Sequence, residues 1–414
     1  MNNTSESRVL IVGGGAAGIA VASRLKRLRP QANVTLIEPA SAHYYQPAFT
    51  LVGAGVTALA QTRKDETRLF PSGVKTVRGQ VKEFDPASNR VRLADGATVL
   101  YDYLVVATGV VLDWDKIAGL REALGKNGVC SNYSPDTVNY TWESVQGLKP
   151  GAKAVFTQAP LPFKCPGAPQ KAAYLTADYL RRKGIRSDCD VKFFTHAPVI
   201  FGVPFFAKEL VKVAERHGIA VNYQHNLVAV DGEKKIATFE RVSDANKGER
   251  IQVPFDMLHV SPPQSAPAEV RASPLVNAAG WVEVDQATLQ HARFPNVFSL
   301  GDVSSTPNSK TAAAVRKQAP VVVRNLLHMM ANEASEKAYD GYASCPLTTA
   351  YGKVIMAEFC YGGKVTPTLP LDPAKESSIG WQIKKRGLPI LYWDYMLKGH
   401  VTFPAHNTAF VERK

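Results

Sequence analysis

Gly13, Gly15 and Gly18 form a G-x-G-x-x-G loop between an apolar, β-branched run, Arg8–Val12, and residues Ile19, Ala22, Leu25 and Leu28, which recur at helical spacing. In that context each glycine has a separate task. Gly13 permits the tight turn, Gly15 lets backbone approach a pyrophosphate, and Gly18 lets the helix pack on the strand. The helix N-terminus then offers N–H groups to the phosphates. Glu38 lies twenty residues past Gly18 at the end of the next strand, Asn33–Glu38, where a carboxylate accepts ribose hydroxyls. A second candidate centre is Cys165. Lys164 precedes it and a helix starts about two residues later, and both features favour a thiolate.

The elements around Cys165 repeat the first unit with one departure. A strand at Lys153–Thr157, a helix at about Ala168–Arg182 and a strand at Asp190–Thr195 make a second strand–helix–strand unit. Its first loop, 158–169, carries one glycine, Gly167, and four prolines, and the cysteine sits where a nicotinamide cofactor's phosphates would go. Backbone there is too stiff to follow a pyrophosphate. The expected electron donor is therefore a small species that reacts with sulfur, not NAD(P)H.

Further strands are expected at Lys75–Val77, Arg90–Leu93 and Val99–Ala107, and helices at Pro204–His217 and about Thr311–Met330. Asp231-Gly232 marks a hairpin. The fold class is α/β, with two tandem Rossmann-like dinucleotide-binding domains and a C-terminal membrane-facing segment. The expected division is 1–115 and 276–330 for the first domain, 116–275 for the second and 331–414 for the C-terminal region.

The 414 residues hold 49 Lys+Arg against 36 Asp+Glu, a net charge of +13, which favours an anionic partner without naming it. The hydrophobic share of 45% excludes bulk disorder. Five cysteines, widely spaced and without C-x-x-C, exclude a zinc ribbon or a disulfide scaffold. The nine histidines show no metal-site spacing, so no metal is expected, and His196 is read as structural. No basic-aromatic cluster points to nucleic acid. No signal peptide and no spanning helix is read.

Two more strand ends complete the pattern. Leu104–Gly109 reads LVVATG and Asn296–Asp302 reads NVFSLGD. With the glycine loop, this trio resembles the two-dinucleotide-domain flavoproteins, whose first domain binds FAD. Six further stretches narrow the resemblance: Ser131–Trp142, Phe163–Leu175, Asp256–Pro263, Ala278–His291, Asn296–Val315 and Tyr339–Phe359. Together the chain resembles the sulfide:quinone oxidoreductases, most of all the type II group that includes the mitochondrial enzyme.

The resemblance implies FAD held by Gly13, Gly15, Ala17, Gly18, Glu38, Gln46, Pro47, Ala107, Thr108, Gly109, Gly301, Asp302, Lys310 and Thr311. It implies a redox pair, Cys165 and Cys345, with Lys171 and Lys384 supplying charge near the flavin. Hydrosulfide would attack the oxidised pair, leaving a persulfide on Cys345 and a thiolate on Cys165. A small acceptor (glutathione, sulfite or sulfide) would take the sulfur, and two electrons would pass through FAD to a membrane quinone. Cys130 lies near where three-cysteine members carry an extra cysteine, while the type II pattern uses two, so both a redox and a spectator role stay open. Cys189 and Cys360 are read as structural.

A membrane quinone requires a membrane surface, and Lys384, Lys385 and Arg386 before Leu388–Leu397 suit one, with Trp393 and two tyrosines at the interface. The competing reading packs this segment in the core. A peripheral protein of a bacterial inner membrane is expected, because Met1 leads directly into the fold. A homodimer is left open. The competing functions are a type II NADH:quinone oxidoreductase, against which the missing second G-x-G-x-x-G argues, and a non-enzymatic flavin-binding interaction protein.

Overall fold

The computed structural model describes residues 7–402. Two parallel five-stranded sheets organise the chain. In the first, Arg8–Val12 is flanked by Asn33–Ile37 and Tyr103–Val106. Val74–Val77 and Val297–Ser299 form its edges. Strands nearly 300 residues apart therefore share one sheet. Helices Ala16–Leu28 and Ala312–Met330 pack on it through Ile19, Leu25, Val322 and Leu326, all fully buried. The second sheet runs Val129–Cys130, Met257–His259, Lys153–Gln158, Asp190–Thr195, Ala220–Tyr223. These strands are largely apolar because both faces of each parallel sheet are covered, one by helices and the other by a three-stranded antiparallel sheet, 81–100 on the first and 225–254 on the second.

The strand expected at Val99–Ala107 is two strands. Thr98–Leu100 joins a small antiparallel sheet with Arg90–Leu93, and Tyr103–Val106 enters the parallel sheet. The break falls at Asp102, whose carboxylate accepts from the Arg8 backbone N–H (2.6 Å) and pairs with its guanidinium (2.7 Å). This ion pair fastens together the starts of two neighbouring parallel strands, Arg8–Val12 and Tyr103–Val106.

Among the elements not read from the sequence, three flank the site or the segment that closes it. Helix Pro135–Gln146 is capped by Ser134 with Pro135 in its first turn. Strands Ala343–Ala350 and Lys353–Phe359 form a hairpin. A helical run from Ser378 to Met396 widens twice to i→i+5 spacing, at Ile383–Gly387 and at Leu391–Met396. Widened turns of this kind concentrate at functional sites, and the first one carries Lys384. Among the described residues no helix is long and apolar enough to cross a membrane.

Candidate active site

The carboxyl ends of the first sheet's strands open into a cavity of about 1050 Å³. Gly13 lies at φ +101°, and a Cβ there would strike the Ala107 carbonyl. A Cβ on Gly18 would strike the Gly13 carbonyl, so the helix sits directly on the turn. At Gly15 nothing lies where a Cβ would be, and the backbone borders the cavity. Glu38 is held there by two backbone donors, Gly14 N–H to Oε2 (2.6 Å) and Ala40 N–H to Oε1 (2.7 Å), and keeps spare acceptor capacity. Several buried polar atoms bordering the cavity have no partner within the chain, among them Thr108 Oγ1 and both amide atoms of Asn132. Buried polar atoms are rarely left unpaired in folded proteins. An open glycine cradle, an anchored carboxylate and these orphans fit a large polar cofactor such as FAD.

Of the residues expected to hold it, Ala17, Gln46, Pro47, Ala107, Thr108, Gly109, Gly301, Asp302, Lys310 and Thr311 also border the cavity. Gly18 does not; its place is beneath the turn. Thr311 caps helix Ala312–Met330 by accepting from Ala314 N–H (3.2 Å), which turns the helix's positive end to the cavity. Burial pushes the Asp302 carboxyl above the usual range, against the pull of Lys310 and Lys164. The Lys310 ammonium is engaged elsewhere: it donates to the Ser304 carbonyl (3.0 Å) and lies 4.2 Å from the Trp281 ring. Burial lowers it to about 8.

Cys165 and Cys345 meet at the same cavity, Sγ to Sγ 3.8 Å, though 180 residues separate them. Three facts about the chain produce this contact. Cys345 lies on a strand, so its side chain takes the opposite face from Ser344 and Pro346, in register with Ala357. Gly167 leaves room, since a Cβ there would lie 2.6 Å from the Cys345 sulfur and 2.6 Å from Leu347. Cys165 itself adopts the left-handed region, φ +51°. That costs a non-glycine residue about 1–2 kcal/mol. The conformation is held by Cys165 N–H to the Lys310 carbonyl (2.9 Å), by Ala168 N–H to the Cys165 carbonyl (2.8 Å) and by the Tyr133 hydroxyl to that carbonyl (3.4 Å).

The charge beside the sulfur comes from a different lysine than adjacency suggests. Lys164 turns away and donates to Gln46 Oε1 (2.6 Å), joining this loop to the first domain. The cation in contact is Lys171, in the first turns of the following helix, with Nζ 3.3 Å from Cys165 Sγ. Cys345 as hydrogen-bond donor, then Lys171 and Lys384, hold the Cys165 thiol well below its ordinary range against burial. The pair keeps one proton, which resides on Cys345, raised by its bond to the Cys165 thiolate and by burial. Burial opposes charge on Lys171, but the two sulfurs outweigh it and raise its pKa. Lys384 is also buried; burial and then Lys171 lower it to about 7, while the sulfurs pull the other way.

Cys130 is buried away from the cavity, and burial raises its thiol to about 12. Cys189 donates to the Lys149 carbonyl and Cys360 contacts the Thr366 hydroxyl. His196 uses its backbone N–H to bond the Gln158 carbonyl at the adjoining strand end. Asn132, Tyr133 and Gly167 escaped the sequence reading as site residues, although all three lie inside stretches that carry the resemblance.

The C-terminal segment divides between both expected roles. Tyr392 and Trp393 are buried, with the Tyr392 ring 4.8 Å from Tyr45 and the Trp393 ring 5.6 Å from His43. Trp393 and Tyr392 therefore belong to the core and not to an interface. The outward residues are Ile379, Ile390 and Tyr395, at 62%, 53% and 45% exposure, beside exposed Lys385 and Arg386.

Residues 7–150 match the family model described as pyridine nucleotide-disulphide oxidoreductase. The mitochondrial sulfide:quinone oxidoreductase of Dictyostelium discoideum is 45% identical over 395 residues, covering 95% of this chain and 86% of the relative. The Mus musculus enzyme of the same name is 43% identical over 397 residues, covering 96% and 88%. Among solved structures, the sulfide:quinone oxidoreductase of Aquifex aeolicus shares the fold, with TM-score 0.81 at 22% identity, covering 95% of this chain and 92% of that one. The expectation of a bacterial inner membrane finds no support, since both of these relatives are named as mitochondrial enzymes. A paired thiol centre against a flavin-type cavity, with two relatives above 40% identity across almost the whole chain, places this protein in the sulfide:quinone oxidoreductase family of FAD-dependent oxidoreductases.

Proposed function

We propose that the protein oxidises hydrosulfide at the Cys165–Cys345 pair, passes two electrons to a quinone and hands the sulfur to a small acceptor. The observation that carries this reading is the 3.8 Å approach of the two sulfurs with Lys171 at 3.3 Å, inside the cavity formed by the glycine loop. Bound FAD would supply two-electron carriage from the sulfur centre to quinone.

The lysine decides which sulfur is attacked. In thiol–disulfide exchange the sulfur with the lower thiol pKa leaves faster. Cys165, held as thiolate beside Lys171, is therefore the leaving group, and hydrosulfide attacks Cys345. The S–S bond breaks, Cys345 carries the persulfide and Cys165 carries the released electron pair. An acceptor nucleophile (glutathione, sulfite or sulfide) removes the outer sulfur, leaving the dithiol pair to lose two electrons as the disulfide re-forms.

Nicotinamide binding at the second unit is disfavoured by the same geometry. Gly167 is the loop's one glycine, and the space it leaves is filled by Cys345 and Leu347. The face bearing Ile379, Ile390 and Tyr395 with Lys385 and Arg386 suits contact with an anionic membrane surface, where quinone is dissolved.

Sulfide-dependent quinone reduction tests the reading. Cys165→Ala and Cys345→Ala are each expected to lose at least a hundredfold, while Cys130→Ala stays within about threefold of wild type. Full activity in Cys345→Ala, or flavin bleaching by NADH and not by sulfide, overturns it.

A further inference from the structure

A buried polar chain reaches the cavity at a wall that the sulfur chemistry does not use. Glu66 sits on a surface turn, Glu66–Leu69, whose neighbours Asp65, Thr67 and Arg68 are exposed, yet its own side chain is only 3% exposed. Its Oε1 lies 3.5 Å from His43 Nδ1, and Oε2 has no partner within the chain. His43, 5% exposed, places Nε2 2.6 Å from the Tyr392 hydroxyl. All three side chains border the cavity. Tyr392 belongs to the same segment as Leu388, Ile390, Leu391 and Met396, which line the cavity with apolar surface, and Ile390 opens that wall to the outside.

We propose that Glu66, His43 and Tyr392 form a proton path that supplies quinone reduction. The inference rests on quinone being the electron acceptor, as proposed for this site. A quinone becomes a quinol by taking two electrons and two protons, and an apolar wall offers it no water. Tyr392 touches the substrate and donates its hydroxyl proton to the reduced quinone oxygen. His43 replaces that proton from Nε2 and takes one at Nδ1 from the Glu66 carboxyl. Glu66 regains its proton from water at the exposed turn. One passage moves one proton and breaks and forms one O–H or N–H bond at each station; it supplies one of the quinol's two protons, and the other would come with the two electrons from the reduced cofactor.

The protonation states suit this direction. Burial first, then Glu38 and Asp65, raise the Glu66 carboxyl to about 8, with Arg78 opposing. Burial lowers His43 to about 4, with Glu38 opposing. Burial, Tyr45 and Glu66 raise the Tyr392 phenol. Near pH 7 the chain is neutral throughout: a carboxylic acid, an imidazole with one N–H, and a phenol. Each group can give and receive. Above about pH 8 Glu66 loses its proton and the supply fails.

Glu66→Gln keeps a neutral, similarly shaped side chain that cannot release a proton. The holoenzyme is photoreduced, so that the arm needs no sulfide, and its reoxidation is followed with decylubiquinone and separately with ferricyanide, which takes electrons without protons. Wild type should lose quinone-dependent reoxidation above about pH 8. The variant should be at least tenfold slower with quinone below pH 8, with that fall flattened, and unchanged with ferricyanide. Tyr392→Phe should behave likewise. Equal slowing with both oxidants, or an unaltered quinone pH profile in Glu66→Gln, overturns the proposal. Failure of sulfide to bleach the wild-type flavin would refute the sulfide reading alone.

Discussion

Lys171 Nζ stands 3.3 Å from the Cys165 sulfur, closer than Cys345 at 3.8 Å. The lysine thus marks Cys165 as the thiolate of the pair, and with it the sulfur that leaves when hydrosulfide attacks. The helix that begins at Ala168 delivers it: Lys171 lies in its first turns, where the chain folds back toward the cysteine. An opposite charge at this range typically lowers an acid's pKa by about 1–3 units.

Lys171→Met should therefore move the pH dependence of Cys165 alkylation upward. In wild type the thiolate persists as pH falls, because the folded pKa is depressed. In the variant, reactivity should fade at higher pH, and sulfide-dependent turnover near pH 7 should drop by about 10–100-fold. Iodoacetamide kinetics on the reduced protein across pH, with peptide mapping of Cys165, measure the shift. Superposable profiles would show that Lys171 does not stabilise the Cys165 thiolate.

Gly167→Ala should impair the sulfur pair without disturbing the flavin. The added Cβ would lie 2.6 Å from both the Cys345 sulfur and Leu347, so the strand or the loop must shift. Turnover with sulfide should fall at least tenfold, while flavin content and absorbance remain as in wild type. A variant with normal turnover would show that the loop has slack the packing does not suggest.

Ile379→Asp combined with Ile390→Asp should weaken binding to vesicles containing anionic lipid, by about tenfold. Both side chains are more than half exposed, so the fold has little stake in them. Flotation with phosphatidylglycerol vesicles measures the loss, and bleaching of the flavin by sulfide, which needs no quinone, should stay within about twofold. Unchanged flotation would move the membrane contact elsewhere.

The glycine loop was legible because its parts are neighbours in the chain. Strand, turn, helix and acidic strand end occupy residues 8–38, and each glycine's task follows from steric exclusion within that stretch. The Cys165 loop was legible in the same local way, as a proline-stiffened turn that cannot follow a pyrophosphate. Its helix and strands, Lys153–Gln158, Ala168–Arg182 and Asp190–Thr195, fall within a residue or so of the expected bounds. The hairpin bearing Cys345 was not. Its strands hold proline and a cysteine, and their pairing is set by contact with the helix that follows Cys165.

Sequence alone determined the residue types and the local turns: a phosphate-type glycine loop, a cysteine in the wrong place for nicotinamide and a strongly basic chain. Resemblance to relatives supplied the partnership of Cys165 with Cys345, which no spacing implies at 180 residues. Tertiary structure alone decided three things. Lys171 and not the adjacent Lys164 faces the sulfur, because a helical turn carries one inward while Gln46 draws the other away. Tyr392 and Trp393 turn into the core while Ile390 and Tyr395 face out, because the segment is a helix and its facing is set by packing on Tyr45 and His43. Glu66, His43 and Tyr392 meet in one buried line only after folding, since burial and side-chain proximity are properties of the packed chain.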